Sequence, residues 1–366
     1  MKKKIIPVIL IFILGVAGGI GLIYAFPNFL NTTKVKIQKD VTITDSGISD
    51  AVEKVYDAVV VVTTYNNGEL YGSGTGFVYK VDGKTAYILT NNHVISSASS
   101  VTVTFTNGEV YETNIVGSDS LSDIAILSLD KKNIISIASL GSSENAKTGD
   151  TAFAVGAPLN SVYSWTVTRG IISGKDRMVE VSLDSSSSSS SNDYVMKVLQ
   201  TDAAINAGNS GGPLCNSNGE VIGITSLKLV DESVEGMGFA IPIETATKYA
   251  EILISGEKIT QPYLGVAMIN VSDGMYYKKY YDMLSKYNIT SGVIINEVES
   301  GSPSDKAGLK SGDIIVKLDD NQISNIAYLR YYLYNYAVGD TVEITFIRNG
   351  KTKNTKVTLG ENKTIY

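Results

Sequence analysis

The position of a single histidine limits the folds open to this chain. His93 is the only histidine among 366 residues, and it precedes the serine of the run Gly208-Asn209-Ser210-Gly211-Gly212. That run matches the Gly-x-Ser-x-Gly turn of α/β-hydrolases, in which the three catalytic residues follow the order Ser, Asp, His. No histidine follows Ser210. The chain order therefore excludes an α/β-hydrolase built on this serine.

Short β-strands dominate the pattern from Ala58 to about residue 240. Ala58–Val62 is a β-branched run, and Val101–Phe105 alternates between apolar and polar residues. Asn107-Gly108, which follows, is a strong two-residue hairpin signal. Few stretches hold a helical period. Residues 51–250 are therefore predicted to form an antiparallel β domain of the barrel type.

His93, Asp123 and Ser210 have the residue types and the order of a nucleophilic triad. A serine hydroxyl needs a base to take its proton, and an imidazole, with a reference pKa near ~6.5, suits that role. The imidazole needs a carboxylate to fix its tautomer. Asp123 opens the apolar run Ile124–Leu127, where an unpaired acid would be costly to bury. The order His, Asp, Ser is that of chymotrypsin-like double β-barrels, which is the fold we predict for residues 51–250.

The neighbours of Ser210 are predicted to complete the site. Glycine at 208 lets the backbone turn sharply, so that the N–H groups of Gly208 and Ser210 point at a developing oxyanion, with Asn209 supporting the turn. The specificity pocket is predicted to carry no charge and to favour a small or medium apolar side chain before the cut. Its predicted walls are Ala204, Ile205, Thr225, Ser226 and Leu227.

Cys215 is the single cysteine, so the chain has no internal disulfide. A thiol nucleophile paired with His93 is conceivable. A buried free cysteine normally behaves as a small hydrophobe, however, and we discard this alternative. We expect no metal ion and no cofactor. The net charge of −6 gives no case for nucleic-acid binding.

The N-terminus predicts export. Lys2-Lys3-Lys4 precedes an uncharged stretch from Ile5 to Leu30, which exceeds the ~20 residues that a transmembrane helix needs. Lysines on the leading side place that end in the cytoplasm. We predict a cytoplasmic tip and single-pass membrane anchor over 1–30, and a linker over 31–50. A cleaved secretory signal is the alternative, and it would export the remaining chain equally.

Two further segments follow from composition and pattern. Ser185–Ser191 is an unbroken serine tract that cannot build a core, and it is predicted to be a surface loop. A second unit of mixed α and β pattern, of ordinary size for a domain, is predicted over 260–362.

Several motifs resemble those of the HtrA (Deg) family of serine proteases. In the first domain they are Gly72–Phe77, Thr90–Ile95, Ser122–Leu127, Gln200–Leu214 and Gly238–Pro242. In the second unit, Tyr263–Val266 resembles the carboxylate-binding loop of the family's PDZ domain, and Ala307–Asp313 resembles its usual following run.

This resemblance implies a chymotrypsin-like protease domain followed by a smaller α+β PDZ domain. It implies endopeptidase activity on unfolded or misfolded exported proteins, and homotrimers assembled through the protease domains. Leu264, Gly265 and Val266 are then expected to offer backbone N–H groups to a peptide C-terminal carboxylate, with the peptide added as a β-strand.

The sequence departs from the family at two places. Ala207 stands where the family usually has proline, which we expect to loosen the oxyanion loop. Tyr56-Asp57-Ala58 replaces the more usual Ser-Pro-Ala, in a region of trimer contacts. Two other functions stay open at this stage: a non-proteolytic PDZ scaffold and a holdase chaperone that grips unfolded chains.

Overall fold

Twelve strands build the first part of the structure. The computed structural model describes residues 47–156, 165–181, 194–229, 236–257 and 259–361. The first six strands are β1 (Val59–Asn66), β2 (Glu69–Asp82), β3 (Thr85–Asn91), β4 (Ser100–Thr104), β5 (Val110–Asp119) and β6 (Ile124–Asp130). They close into an antiparallel barrel in the order β1-β2-β3-β6-β5-β4.

The next six strands repeat this arrangement. They are β7 (Thr151–Gly156), β8 (Thr166–Val181), β9 (Tyr194–Thr201), β10 (Pro213–Asn216), β11 (Val221–Thr225) and β12 (Gly238–Pro242). They form a second closed antiparallel barrel in the order β10-β11-β12-β9-β8-β7. The predicted chymotrypsin-like double barrel is confirmed.

Short helices lie at the ends of the barrels. They are α1 (Gly47–Tyr56), α2 (Asn92–Ile95), α3 (Ile243–Ser255) and two 3-10 turns, Lys131–Asn133 and Leu227–Leu229. Residues 47–50, at the end of the predicted linker, belong to α1.

The continuous apolar runs of the sequence are strands buried on both faces. Val60 and Val62 of β1 point into the first barrel, whereas Val59 joins a cluster between the two barrels. Phe153 of β7 and Ile224 of β11 reach that same cluster from the second barrel. Because both faces are apolar, the period-two alternation of a half-buried strand is lost. This shared core fixes one barrel against the other and so positions the cleft between them.

The second domain is a sheet covered by short helices. Its elements are β13 (Pro262–Tyr263), β14 (Val266–Asn270), α4 (Val271–Gly274), α5 (Lys278–Tyr287), β15 (Val293–Val298), α6 (Pro303–Lys306), β16 (Ile314–Leu318), β17 (Asn321–Gln322), α7 (Ile326–Leu333), β18 (Thr341–Arg348), β19 (Lys351–Thr358) and β20 (Gly360–Glu361). The main sheet runs β14-β15-β16-β18-β19, with β17 paired to β16, and β13 pairs with β20. This is the α+β domain that the resemblance implied.

Two predicted segments, and the predicted linker up to residue 46, lie outside the described residues. The two segments are the membrane anchor over 1–30 and the serine tract over 185–191. Within the ranges that are described, no helix combines the length and the apolar character needed to span a membrane.

Candidate active site

His93 and Asp123 are in contact at one edge of the first barrel. His93 lies in α2, directly after β3, and Asp123 directly precedes β6, the strand that pairs with β3. The Nδ1 atom of His93 lies 2.8 Å from Oδ2 and 3.0 Å from Oδ1 of Asp123. The Asp123 side chain is only 1% exposed, whereas that of His93 is 30% exposed. The ring therefore has a buried carboxylate on one side and an accessible opposite edge.

Asp123 is held by several donors in an unusual backbone conformation. Its φ of 56° is uncommon outside glycine, although aspartate is one of the residues that tolerate it. Its carbonyl oxygen accepts from Nδ2 of Asn91 at 2.9 Å and from the N–H of Asn92 at 3.1 Å. Its carboxylate accepts from the N–H of His93 and from Oγ of Ser226, both at 3.0 Å. Every oxygen of the residue is thus fixed, which directs the carboxylate at the imidazole.

Ser210 comes from the second barrel, on the loop between β9 and β10, and is nearly buried. Thr75 of β2, in the first barrel, holds this loop through two hydrogen bonds. The N–H of Thr75 donates to the Ser210 carbonyl at 2.9 Å, and its Oγ1 donates to the Gly208 carbonyl at 2.7 Å. In the second barrel, Oγ1 of Thr225 at the end of β11 donates to the Asn209 carbonyl at 2.7 Å. Side chains of both barrels therefore define the position of the serine.

The close approach of the barrels also explains the glycine after the serine. Gly211 has a φ of 84°, and a Cβ there would lie 2.1 Å from the Thr75 carbonyl oxygen and 2.4 Å from Oγ1 of Thr90. No other residue fits without moving the backbone of β2.

The hydroxyl of Ser210 is bound to a neighbouring amide. The N–H of Leu227 donates to Oγ of Ser210 at 3.0 Å. Among the described residues, no hydrogen bond joins Ser210 to His93. The three predicted triad residues therefore meet at the cleft, with His93 and Asp123 paired and the hydroxyl of Ser210 held by the Leu227 amide.

The predicted oxyanion donors lie on the loop before Ser210. In the described part of the chain, the N–H groups of Gly208 and Ser210 have no hydrogen-bond acceptor. Asn209 is buried, and its Nδ2 donates to the Ala204 carbonyl at 3.2 Å, which braces the turn. Two donors are thus left free beside the serine, as an oxyanion requires.

The predicted pocket residues separate into two groups. Ile205 and Leu227 are partly exposed beside the serine loop, and Ala204 is exposed. Ile205 packs against Gly238, where a Cβ would lie 2.6 Å from Cγ1 of Ile205. Thr225 and Ser226 are fully buried, and their hydroxyls hold the serine loop and Asp123 rather than line an open space.

The alternative nucleophile, Cys215, is fully buried in the core between the barrels. Burial raises the pKa of its thiol, so it stays protonated and inert. Across the described residues, no cluster of His, Cys, Asp and Glu side chains is arranged to hold a metal ion.

The predicted carboxylate-binding loop lies between β13 and β14. Gly265 has a φ of 78°, and a Cβ there would lie 2.2 Å from Cβ of Ser302. The carbonyls of Leu264 and Gly265 accept from Ser304 and Glu299, each at 3.0 Å. Their N–H groups have no acceptor within the described ranges, so they are available to a ligand.

This loop opens onto a groove between the two domains, with a volume of about 640 Å³. We call it the interdomain groove. Its second-domain wall includes Leu264, Gly265, Val266, Leu329 and Leu333, and its first-domain wall includes Ser118, Asp119, Leu121 and Leu253. A hydrogen bond of 2.7 Å from Nδ2 of Asn325 to Oε1 of Glu180 joins the domains nearby. At its rim, the hydrogen bond to Glu299 raises the pKa of Tyr263 to about 12.

Sequence reasoning gave no role to Asn91 or Thr75 and placed Ser226 in the pocket. Asn91 and Ser226 hold Asp123, and Thr75 holds the serine loop. Asn91 offered one signal, since it is a polar residue at the end of an apolar strand, directly before a catalytic motif. The contacts of Thr75 with Gly208 and of Ser226 with Asp123 offered none, because the partners lie far apart in the chain.

Comparison with known proteins agrees with this geometry. A trypsin-like peptidase domain model matches residues 74–224, and a PDZ domain model matches residues 262–359. The chain is 42% identical over 339 residues to the serine protease Do-like HtrA of Bacillus subtilis (strain 168), which covers 87% of this chain and 74% of that protein. It is 41% identical over 330 residues to the serine protease Do-like HtrB of the same strain, and this match covers 86% of this chain and 71% of that protein.

Two solved structures are also similar. The serine endoprotease from Yersinia pestis superposes with a TM-score of 0.64 at 31% identity, covering 86% of this chain and 98% of that one. The HtrA-type protease AlgW, solved with a decapeptide, superposes with a TM-score of 0.67 at 27% identity, and the match covers 87% of this chain and 99% of that one.

Proposed function

Because the chain belongs to the HtrA (Do-like) family of serine proteases and is a serine endopeptidase of protein quality control, we propose that Ser210 is its nucleophile. His93 is the general base, and Asp123 orients His93. The observation that supports this assignment most is the pairing of His93 Nδ1 with the buried Asp123 carboxylate beside the serine loop. This contact leaves Nε2 as the nitrogen that serves the hydroxyl.

The reaction begins with attack of Oγ of Ser210 on a peptide carbonyl carbon. The hydroxyl proton passes to Nε2 of His93, and the carbonyl oxygen becomes an oxyanion held by the N–H groups of Gly208 and Ser210. Collapse breaks the C–N bond, and His93 gives its proton to the leaving amine. A water molecule then hydrolyses the acyl-enzyme by the same steps, which restores the free serine.

Cleavage is directed at unfolded or misfolded exported polypeptides. The pocket selects an apolar side chain on the residue directly before the cut. Ile205 and Leu227, with Ala204, offer apolar surface beside Ser210, and no charged residue belongs to the proposed pocket. An extended, unfolded segment presents such side chains, whereas a folded protein buries them.

The second domain binds peptide C-termini in the interdomain groove. The free N–H groups of Leu264 and Gly265 receive the carboxylate together with Val266, and the peptide extends along β14 as an added strand. The chain is anchored by residues 1–30 with its N-terminus in the cytoplasm and both domains outside, and it assembles as a homotrimer.

Replacement of the nucleophile tests the assignment. Ser210→Ala is expected to abolish cleavage of unfolded casein and labelling by a fluorophosphonate, while the unfolding transition stays cooperative. Ser217→Ala, which changes an exposed serine on the β10–β11 turn, is the matched control and is expected to keep both activities. Casein cleavage by Ser210→Ala at the normal rate would show that another residue is the nucleophile.

A further inference from the structure

The second domain exposes a cluster of large side chains at the turn between α4 and α5. The side chains of Tyr276, Tyr277 and Tyr281 are 90%, 54% and 49% exposed, and Met275 lies beside them in the chain. The value for Tyr276 is the highest of any large apolar or aromatic side chain in the described residues. We call Met275–Tyr281 the tyrosine tip. A contiguous exposed cluster of this kind usually marks an interaction surface.

The tyrosine tip lies on the opposite face of the sheet from the interdomain groove. The helix α5 packs through Tyr280 and Leu284 against Ile294 of β15. The next residue on that strand, Ile295, belongs to the core beneath α7. Since successive residues of a strand point to opposite faces, α5 and α7 cover opposite sides of the sheet. A partner at the tip therefore leaves the groove and the protease domain unobstructed.

The charge of the tip differs from that of the whole chain. The chain has a net charge of −6, but the tip contains Lys278 and Lys279 and no acid; Asp273 and Asp282 lie outside it. Lys278 and Lys279 are both exposed. The Nζ of Lys279 lies 4.8 Å from the centre of the Tyr280 ring and 3.5 Å from Oδ1 of Asn296, and neither contact neutralises its positive charge.

Tyrosine and lysine together are the residues that favour the surface of a lipid bilayer. Tyrosine rings are enriched at the level of the lipid headgroups, and lysines are attracted to anionic lipids. The shape of the tip favours the same partner. Tyr276, which is 90% exposed, protrudes into solvent. Such a side chain can insert among lipid headgroups, which rearrange around it, whereas a protein partner would need a matching cavity.

We propose that the tyrosine tip binds the surface of a bilayer that contains anionic lipids. This inference gains from the proposed anchor, because a chain held at a membrane by residues 1–30 has a bilayer surface available to its domains. It stands separately from the proteolytic mechanism, since the tip includes no residue of the active site or of the groove.

A tryptophan placed in the tip reports the contact. The full chain with Tyr276→Trp is reconstituted in vesicles of phosphatidylcholine alone, or with about one third phosphatidylglycerol, and bromine-labelled lipids are used as quenchers. The native Trp165 donates to the Val59 carbonyl in the protease domain and gives a constant background. Tyr71→Trp, at a tyrosine that is 59% exposed on β2, is the matched control.

We expect the tryptophan introduced by Tyr276→Trp to be quenched in the anionic vesicles, and not in neutral vesicles or in about 1 M salt, where charges are screened. The Tyr71→Trp control stays unquenched. Adding Lys278→Gln and Lys279→Gln to Tyr276→Trp is expected to lower the affinity of the tip for the anionic vesicles by about 30-fold. Unchanged casein cleavage by these variants shows that they are folded.

Equal quenching of the Tyr276→Trp and Tyr71→Trp proteins would overturn the proposal. So would an emission shift that needs casein or a higher protein concentration rather than lipid, because the tip would then bind a polypeptide or a second copy. The anchor is tested apart from the tip by flotation of the chain with neutral vesicles. A chain that does not float lacks the anchor, and quenching after addition of anionic vesicles then decides the tip alone.

Discussion

The backbone N–H of Leu227 donates a hydrogen bond to the hydroxyl of Ser210 at 3.0 Å. This amide belongs to the segment that directly follows Ser226, the residue that holds the Asp123 carboxylate. Among the described residues no hydrogen bond joins this hydroxyl to His93, so in the proposed mechanism the hydroxyl must turn toward the imidazole before it can give up its proton. The structure therefore shows His93 paired with Asp123 while the Ser210 hydroxyl is held by the Leu227 amide.

Removal of this donor is expected to make Ser210 more reactive. Leu227 is the first residue of a 3-10 turn, a position where proline is tolerated, and proline has no N–H. We expect Leu227→Pro to react with a fluorophosphonate about fivefold faster than Leu227→Ala, since a hydrogen bond of this kind is worth about 1 kcal/mol. Both variants lose the leucine side chain, so their difference isolates the amide. Equal labelling rates would mean that the contact does not restrain the nucleophile.

Asn91 is expected to act on catalysis through Asp123. Its Nδ2 donates to the Asp123 carbonyl at 2.9 Å in a fully buried position. Asn91→Ala removes this donor from a residue held at a positive φ, and we expect kcat to fall about tenfold with KM unchanged. Steady-state cleavage of a peptide substrate gives both constants.

The adjacent asparagine supplies the control. Asn92 reaches Asp123 through its backbone N–H, which Asn92→Ala retains, so this variant is expected to keep its kcat. A rise in KM with an unchanged kcat in Asn91→Ala would contradict a role in orienting the Asp123 carboxylate.

The double barrel could be predicted from the sequence because its signals are local. β-branched runs and a hairpin dipeptide each lie within a short stretch, and the chain order of His93, Asp123 and Ser210 can be read without knowing any contact. Contacts between the barrels could not be predicted, since Thr75 and Gly208 are brought together only by the closed fold. The same limit applies to Thr225 and Ser226. The sequence predicted them as pocket walls, but their hydroxyls donate hydrogen bonds to the serine loop and to Asp123.

The pocket is expected to change its preference when Gly238 gains a methyl group. A Cβ at this position would lie 2.6 Å from Cγ1 of Ile205, so the Ile205 side chain must shift, and we expect the shift to narrow the proposed pocket. Gly238→Ala is therefore expected to shift cleavage toward smaller side chains before the cut, and Ile205→Ala toward larger ones. Mass spectrometry of casein fragments measures both preferences. The double variant is expected to recover the original preference, and its failure to do so would place Ile205 outside the pocket.

Peptide binding by the second domain is expected to depend on Gly265. Its φ of 78° and the contact of 2.2 Å that a Cβ would make with Ser302 leave no room for alanine. Gly265→Ala is expected to weaken binding of a labelled peptide with an apolar C-terminus at least tenfold, as measured by fluorescence anisotropy. Gly301→Ala has a similar φ of 77° but meets nothing within 4 Å, so it controls for backbone strain alone. Equal losses in both variants would argue against a carboxylate site at Gly265.

Glu244, in the first turn of α3, is expected to make stability depend on pH. Burial raises the pKa of its carboxyl group, but hydrogen bonds from Ser143 and Ser142 outweigh burial and leave the pKa below its ordinary value. The N–H of Ser143 and Oγ of Ser142 donate to Oε1 at 2.9 and 2.8 Å, and Oγ of Ser143 donates to Oε2. The carboxylate thus ties α3 to the segment before β7.

Because the pKa of Glu244 is lower in the folded state than in the unfolded state, its contribution to stability is present above the unfolded pKa. That contribution is lost as pH falls through the folded pKa. We expect Glu244→Gln to reduce the free energy of unfolding by about 0.5–1 kcal/mol at pH 7, which is the scale of a hydrogen bond to a charged group reduced by the partial exposure of this carboxylate to solvent. The deficit is expected to shrink as the pH falls through the folded pKa, below which the wild-type carboxyl group is also neutral. Urea unfolding of both proteins across this range checks the sign, and a deficit that grows as the pH falls would contradict the role given to these serines.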